Sequence, residues 1–389
     1  MTKKGSTIGG ALLVAGTAIG AGMLGLPIAT AAGGFVPAVI IYLVCWLFSI
    51  CTGLLMYEAL LWLPKDVNIV TMSKKLLGNW GRLLAWFLYL FLFYSLSIAY
   101  VTAGGGVVTA LLGDVIPTSL GMLIFTAIFG VFVYLGVRAV DRLNTVMMAG
   151  LIVSYFAFIV VGVSGVDLKR LAVWDFSKAL LALPIIFTSF SYQGLLPSLV
   201  HYLHRDSKAV RTAIIVGTSL PFVVYIIWDV LIKGIVPLDV LIHARAQGLT
   251  AVQPLRQVLG LSMVYGLGQA LAFFCVVTSF LGVTLGLFDF LADGFKLQKK
   301  GISRVGLTAL VFGPPLLIAA TNPHLFFTAL NYGGGFGCVL LLGLLPILMV
   351  WRGRYALKLE GGSHQLFGGK PMLVLLLLFV IFEVIITTI

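Results

Sequence analysis

The sequence predicts an all-α integral membrane protein of 11 transmembrane helices, arranged as two inverted blocks of five plus one extra C-terminal helix. Three observations carry that prediction. Of 389 residues, 60% are apolar and only 10% charged, with a mean hydropathy of +1.12, whereas a soluble domain carries about 25% charged residues. The 25 Lys and Arg and 13 Asp and Glu gather in short tufts between long uncharged runs. Two of those runs, near Gly20 and near Ser191, carry clusters of helix-weakening residues followed by proline.

So few charges cannot cover a soluble body of this size. Disorder, collagen and a disulfide scaffold are also excluded, since glycine is aperiodic and there are only 4 cysteines. A net charge of +12 would suit nucleic acid if the bases shared one soluble face. Dispersed in tufts, they suit cytoplasmic loops, so the expected surroundings are a lipid bilayer and no nucleic acid. Cys45, Cys51, Cys275 and Cys338 sit in apolar runs without partners at ligand spacing and read as small hydrophobes. No metal, cofactor or obligate protein partner is expected.

The uncharged runs count the spans. Gly5–Tyr57 has 53 residues, Leu83–Gly113 has 31, Val115–Val137 has 23 and Leu143–Val166 has 24. Ala179–His204 has 26, Thr212–Trp228 has 17, Gln257–Phe288 has 32 and Val305–Trp351 has 47. A last stretch, Pro371–Ile389, is interrupted only by Glu383. Crossing the hydrocarbon core takes about 20 residues, so the two longest runs each hold two spans, hinged near Gly33–Pro37 and Thr321–Pro323. The runs are apolar on all sides, which excludes the alternation of a β-barrel. Gly5–Gly34 is too long, and too directly continued by a second span, to be a signal peptide.

An odd count puts the termini on opposite sides. With the N-terminus in the cytoplasm, Lys3, Lys4, Lys65, Lys74, Lys75, Arg82, Arg138, Arg142, Arg205, Lys208, Arg211, Lys296, Lys299, Lys300, Arg304, Arg352, Arg354, Lys358 and Lys370 fall inside. Lys169, Arg170, Lys178, Lys233, Arg245 and Arg256 fall outside. That division is 19 against 6, as the positive-inside rule requires. The long connection from about Lys233 to Leu261 is expected to lie along the outer face as short helices, and Asn68–Leu77 to lie along the inner face. Gly369-Lys370 is followed by Pro371, so there is no P-loop, and the energy source must be an ion gradient.

The first cluster is Gly16-Thr-Ala-Ile-Gly-Ala-Gly-Met-Leu-Gly-Leu-Pro27. Gly20 to Gly25 satisfies the dinucleotide pattern GxGxxG, but no strand precedes it and the first acid is Glu58. A small-residue packing face is a second reading. A discontinuous helix is the third, and three glycines before a proline favour it, because proline suits the first turn of a new helix. The second cluster is Pro184-Ile-Ile-Phe-Thr-Ser-Phe-Ser-Tyr-Gln-Gly-Leu-Leu-Pro197. Thr188, Ser189, Ser191, Tyr192 and Gln193 are too many polar groups for lipid. Back-bonding to their own helix suits one or two of them, not five.

The breaks open blocks of similar size, about 6–164 and 179–350, and five spans per block invert the second relative to the first. Spans 3 and 8, both long, fall in equivalent positions, and the helix at 371–389 lies outside the repeat. Paired broken helices in inverted halves point to a secondary transporter with its site at the bilayer midplane. Freed amides around Gly20, Ala21, Gly22 and Met23 suit a carboxylate, and carbonyls at the end of the other half-helix suit an ammonium group. An amino acid satisfies both.

At these residues the chain resembles the aromatic amino acid permeases, the tryptophan/tyrosine permease family among the hydroxy and aromatic amino acid transporters. The resemblance rests on the first cluster, on Phe187-Thr-Ser-Phe-Ser-Tyr-Gln-Gly-Leu-Leu-Pro-Ser198, and on Thr278-Ser-Phe-Leu-Gly-Val-Thr-Leu-Gly-Leu-Phe-Asp-Phe-Leu-Ala-Asp293. It runs from Lys3 to the Gly368–Pro371 stretch before the last span. The third segment and Phe187–Phe190 look most like the tyrosine-specific members. The resemblance implies a leucine-transporter-type 5+5 inverted repeat, and an inner-membrane symporter that imports an aromatic amino acid, L-tyrosine first, with protons. One departure is Ser191-Tyr192-Gln193, where the family has Gly before the aromatic residue; Ser191 narrows the site.

Further candidates lie on other spans. Thr278 and Ser279 suit a coupling cation or an interhelical bond. Asp289 is a third coupling candidate, although with Asp293 it sits at the helix end, within reach of Arg304. Asp229 and Glu383, near outer ends, read as hydrated acids, and Glu58 as half of a structural ion pair. Phe190 and Tyr192 flank the break and suit a ring, against a lipid-facing reading for Phe190. Tyr100 and Asn331 complete the candidate substrate residues, with Tyr94 and Tyr332 behind them. His201 and His204 have helical metal spacing but lack a third ligand. An intramembrane enzyme would need a deep His or acid pair, which the uncharged runs lack. A tryptophan- or serine/threonine-specific symporter of the same fold is the nearest rival.

Overall fold

A computed structural model describes residues 5–64, 67–260, 262–359 and 365–389. Lys3, Lys4 and Lys65 of the basic tally and Leu261 of the outer connection lie outside them. The regular structure of the described residues is all helix, with no strand, because a backbone amide or carbonyl left unpaired in hydrocarbon costs several kcal/mol.

The first span is α1 (Thr7–Ala18) and α2 (Ala21–Ala29), which meet at a 56° bend. A 3-10 turn, Ala31–Gly33, and Gly34 at φ +89° turn the chain into α3 (Phe35–Leu61). The amphipathic α4 (Ile69–Leu77) follows, its first turn capped by Asn68 Oδ1, which accepts from Thr71 N at 2.8 Å. Then come α5 (Asn79–Leu111), α6 (Thr118–Leu135) and α7 (Val137–Gly162). A short α8 (Phe176–Leu180) precedes the second broken span, α9 (Leu183–Ser189) and α10 (Leu196–Tyr202). Next are α11 (Ser207–Ile235), the short helices α12 (Leu238–Ala246) and α13 (Gln253–Leu259), α14 (Met263–Gly294) and α15 (Gly301–Thr321). Span 10 is α16 (Phe326–Tyr332), a π-helical stretch Gly333–Leu344, and α17 (Leu345–Trp351), with a second π segment Arg352–Ala356; α18 (Gly369–Thr388) ends the chain. Among the described residues, ten helices are long and apolar enough to cross a membrane, and the bent pair makes 11.

The π-helical stretch did not announce itself in the sequence. A Cβ on Gly334 would strike Thr188 Oγ1 and the Pro184 carbonyl, and one on Gly335 would strike Thr387. Glycine is therefore required where span 10 runs against α9 and α18 together.

Two buried ion pairs brace the ends of the bundle. Glu58 on α3 accepts from Arg354 at 2.7 and 2.6 Å, and both side chains are buried, as the reading of Glu58 expects. Removing one partner of such a pair costs about 3–5 kcal/mol, because the other charge is left uncompensated. At the opposite end Lys233 Nζ lies 2.8 Å from Asp229 and donates to the Gly34 carbonyl at 3.1 Å. Here the sequence reading is corrected: Lys233 is in the last turn of α11, not a loop, and Asp229 is fully buried rather than hydrated. The spacing i, i+4 turns both side chains to one inward face of α11, where the pair ties down the end of span 1. Glu383, read as hydrated, is likewise fully buried, because α18 presents it to the bundle and not to solvent.

Candidate functional site

Span 1 unwinds at Ile19–Gly20 and restarts at Ala21. The sequence placed the restart at Pro27, but Pro27 lies inside α2. The earlier start has a partner in trans: Ala21 N donates to Ser279 Oγ of α14 at 2.8 Å, supplying the cap that an N-terminal amide needs. Met23 N donates to Gly20 O at 3.1 Å. Gly20 packs against Ser279, and a Cβ on Gly22 would lie 2.8 Å from Ser189 Oγ. The two glycines let α14 and α9 approach the break edge-on.

Span 6 unwinds at Phe190–Tyr192 and passes through a 3-10 turn, Gln193–Leu195, into α10, whose first turn holds Pro197. Here the weaken-then-restart pattern corresponds to the structure. Two hydroxyls of α3 hold the unwound stretch. Ser49 Oγ donates to Phe190 O at 2.9 Å, and the Tyr192 hydroxyl donates to Ser49 O at 3.2 Å. Gln193 Nε2 donates to Thr52 Oγ1 at 2.9 Å, while its Oε1 accepts from Tyr192 N at 2.9 Å.

One side chain joins the two breaks. The Tyr225 hydroxyl of α11 lies 2.7 Å from Ala18 O and 2.7 Å from Ser189 O, the last carbonyls before each unwound segment. A single O–H proton serves two acceptors there. Phe190 packs edge-on against the Tyr225 ring, centroids 5.1 Å apart, and is fully buried, so it faces the bundle and not lipid.

Three of the five polar groups in the second cluster turn back on their own helix. Thr188 donates to Pro184 O at 2.7 Å, Ser189 to Ile185 O at 3.0 Å and Ser191 to Thr188 O at 2.6 Å. Back-bonding is therefore commoner here than the composition suggested, since a hydroxyl in an apolar interior takes the nearest carbonyl. Thr278 does the same with Phe274 O at 2.9 Å. Tyr100 is buried, with its phenol facing Ser279. Asn331 is half-buried on α16. Tyr94 donates to Leu310 O at 2.9 Å, and Tyr332, exposed, stacks on Phe336.

Asp289 stands apart. It pairs with Lys299 at 2.7 Å, near the end of α14, about 15 Å along the helix from Ser279 at 1.5 Å per residue. The expected partner Arg304 instead lies over the Tyr134 ring at 4.9 Å.

Residues 20–30 and 182–190 are buried, whereas Gly194 and Gly282 are exposed and Ser191 and Ser279 half-buried. The side chains gathered at the breaks are uncharged, so a ligand's charges meet backbone dipoles there. Sequence reasoning missed Ser49, Thr52 and Tyr225. Their signal was present as polar residues inside uncharged runs, outside the glycine clusters.

The chain matches the tryptophan/tyrosine permease family over residues 3–387. It is 34% identical to a tryptophan-specific transport protein of Haemophilus influenzae, over 98% of this chain and 96% of that one. It is 33% identical to tyrosine-specific transport system 2 of the same organism, over 96% and 94%. A low affinity tryptophan permease of Escherichia coli is 28% identical over 97% and 94%. A multi-pass membrane protein with these relatives is a permease and not an enzyme. The chain belongs to the tryptophan/tyrosine permease family.

Proposed function

We propose that this permease imports L-tyrosine by proton symport, binding it between the breaks of spans 1 and 6. The observation that carries the reading is Tyr225 joining the terminal carbonyls of α1 and α9 beside the amides of α2. A zwitterion bridges those opposed backbone dipoles, its carboxylate toward Gly20, Ala21, Gly22 and Met23 and its ammonium toward Ala18 O and Ser189 O. Thr188, Ser189, Phe190, Ser191, Tyr192, Gln193, Tyr100 and Asn331 form the walls of that site. Tryptophan is the second reading, favoured by the tryptophan-specific relative.

The whole chain acts as one transport domain with repeats at about 6–164 and 179–350 and an added helix at 371–389. Contacts that recur in pairs support a leucine-transporter-type inverted repeat. α1 packs on α11 as α9 and α10 pack on α3; α7 packs on α14 as α16 and the π-helical stretch pack on α5; α6 packs on α14 as α15 packs on α5. The basic tufts support a cytoplasmic N-terminus and an outer C-terminus in the inner membrane. Of the coupling candidates, Ser279 borders the break and accepts from Ala21 N, Thr278 bonds to Phe274 O, and Asp289 is engaged by Lys299.

The test is uptake of labelled tyrosine in the presence of each unlabelled amino acid, with and without a proton gradient. Competition by tyrosine above tryptophan, phenylalanine, serine and threonine, lost when the gradient is collapsed, is the expected result. Competition by serine or threonine alone would overturn the aromatic assignment.

A further inference from the structure

A proton-coupled carrier needs a group inside the membrane that takes up and gives up a proton. Ser and Thr hydroxyls ligate cations but keep their own proton near neutrality, so Thr278 and Ser279 do not serve. Glu58 is held by Arg354, Asp229 by Lys233, and Asp289 by Lys299 outside the bundle.

Glu383 is different. It is fully buried within α18, and neither carboxyl oxygen has a hydrogen-bond partner. α18 packs against α9, α17 and the π-helical stretch, and its Phe379 meets Phe48 of α3 at 4.4 Å. The titratable groups facing the carboxyl are Cys45 of α3 and Cys338 of the π-helical stretch. α9 and α17 carry no titratable side chain. No cation among the described residues compensates a carboxylate there, and a buried carboxyl without one keeps its proton.

The carboxyl is also connected to the break in span 6. The π-helical stretch packs on α9, with Gly334 against the Thr188 hydroxyl, and Gly335 is in contact with Thr387, one turn beyond Glu383. Rearrangement of the unwound stretch therefore shifts the walls of the Glu383 pocket.

We infer that Glu383 carries the proton moved with the substrate; this rests on the proton-symport reading above. A proton from outer water binds the Glu383 carboxylate and forms the neutral acid, which can then be sealed in the apolar pocket. When the pocket opens to the cytoplasm, the O–H ionises, the proton passes to water, and the carboxylate is restored. Because the charged form resists sealing, closure around the substrate waits for the proton, which couples the two.

The experiment compares wild type with Glu383→Gln in proteoliposomes, using labelled tyrosine and tryptophan. Gradient-driven accumulation by wild type, reduced in E383Q to the level without a gradient while exchange of internal for external label persists, is the expected result. Equal gradient-driven accumulation by both proteins overturns the assignment alone. Wild type that exchanges label but accumulates none when a proton gradient is imposed overturns the symport reading, and the assignment with it. If E383Q does not insert, wild type is treated with dicyclohexylcarbodiimide, which adds to protonated carboxyls in apolar surroundings. Loss of gradient-driven uptake in step with labelling of the Glu383 peptide supports the assignment; loss without that label contradicts it.

Discussion

The hydroxyl oxygen of Ser279 accepts a 2.8 Å hydrogen bond from the amide of Ala21, 258 residues earlier in the chain. Span 8 thus caps the half-helix that begins at the break of span 1, and any shift of α14 is felt at the break. Ser279→Ala removes the cap, and a lost N-cap costs about 0.5–2 kcal/mol. A lower unfolding temperature in detergent, together with weaker tyrosine binding, is the expected outcome. A variant with wild-type stability and binding would show that water replaces the cap at no cost.

Tyr225 is the link between the two broken spans. Tyr225→Phe keeps the ring packed on Phe190 but strips the donor from two buried carbonyls. Leaving a buried acceptor unsatisfied costs about 1–3 kcal/mol. Thermal unfolding should show that loss, and uptake should fall with it. Full uptake in the variant would mean that the breaks are positioned without Tyr225.

Gln193 has both ends of its amide committed, to Thr52 and to Tyr192 N. Gln193→Ala is therefore expected to weaken tyrosine and phenylalanine equally, measured as competition against labelled substrate. A selective loss for tyrosine would instead assign Gln193 to the phenol, since a site made for a hydroxyl rejects the analogue lacking it.

Asp175, in the loop before α8, is held at about 2 by the Ser177 hydroxyl and by Lys178. Its folded value lies below the usual value of about 3.9. The cap is therefore fully present above pH about 4 and is lost as pH falls toward 2. Protection of the Lys178 amide, which donates to Asp175 Oδ1 at 3.1 Å, should decline across that window. In Asp175→Asn the decline should vanish; if it persists, another group controls α8.

The span count was legible because charge is excluded from hydrocarbon so strongly that tufts of Lys and Arg mark nearly every boundary. The position of each break was legible where glycine and proline had no other role, as at Gly194 and Pro197. At Pro27 the same logic misplaced the restart, because the cap came from Ser279, distant in sequence and invisible to local pattern. Burial of Asp229 and Glu383 was not legible either. Distance from a helix end says how deep a residue lies, while the face it presents depends on helices packed later in the chain. The roles of Ser49, Thr52 and Tyr225 were hidden for the same reason, since single polar residues in apolar runs carry no spacing.

The central claim is that an aromatic amino acid lies between the breaks of spans 1 and 6. Gly22 tests it most directly, because a Cβ there would sit 2.8 Å from Ser189 Oγ, where the first turn of α2 meets the end of α9. The measurement is equilibrium binding of labelled tyrosine and tryptophan to purified wild type and Gly22→Val, with size-exclusion and thermal unfolding profiles showing that both are folded. Saturable binding by wild type and a loss of about tenfold or more in the variant, equivalent to about 1.4 kcal/mol, is the expected result. Unchanged affinity in a folded Gly22→Val protein would contradict the claim.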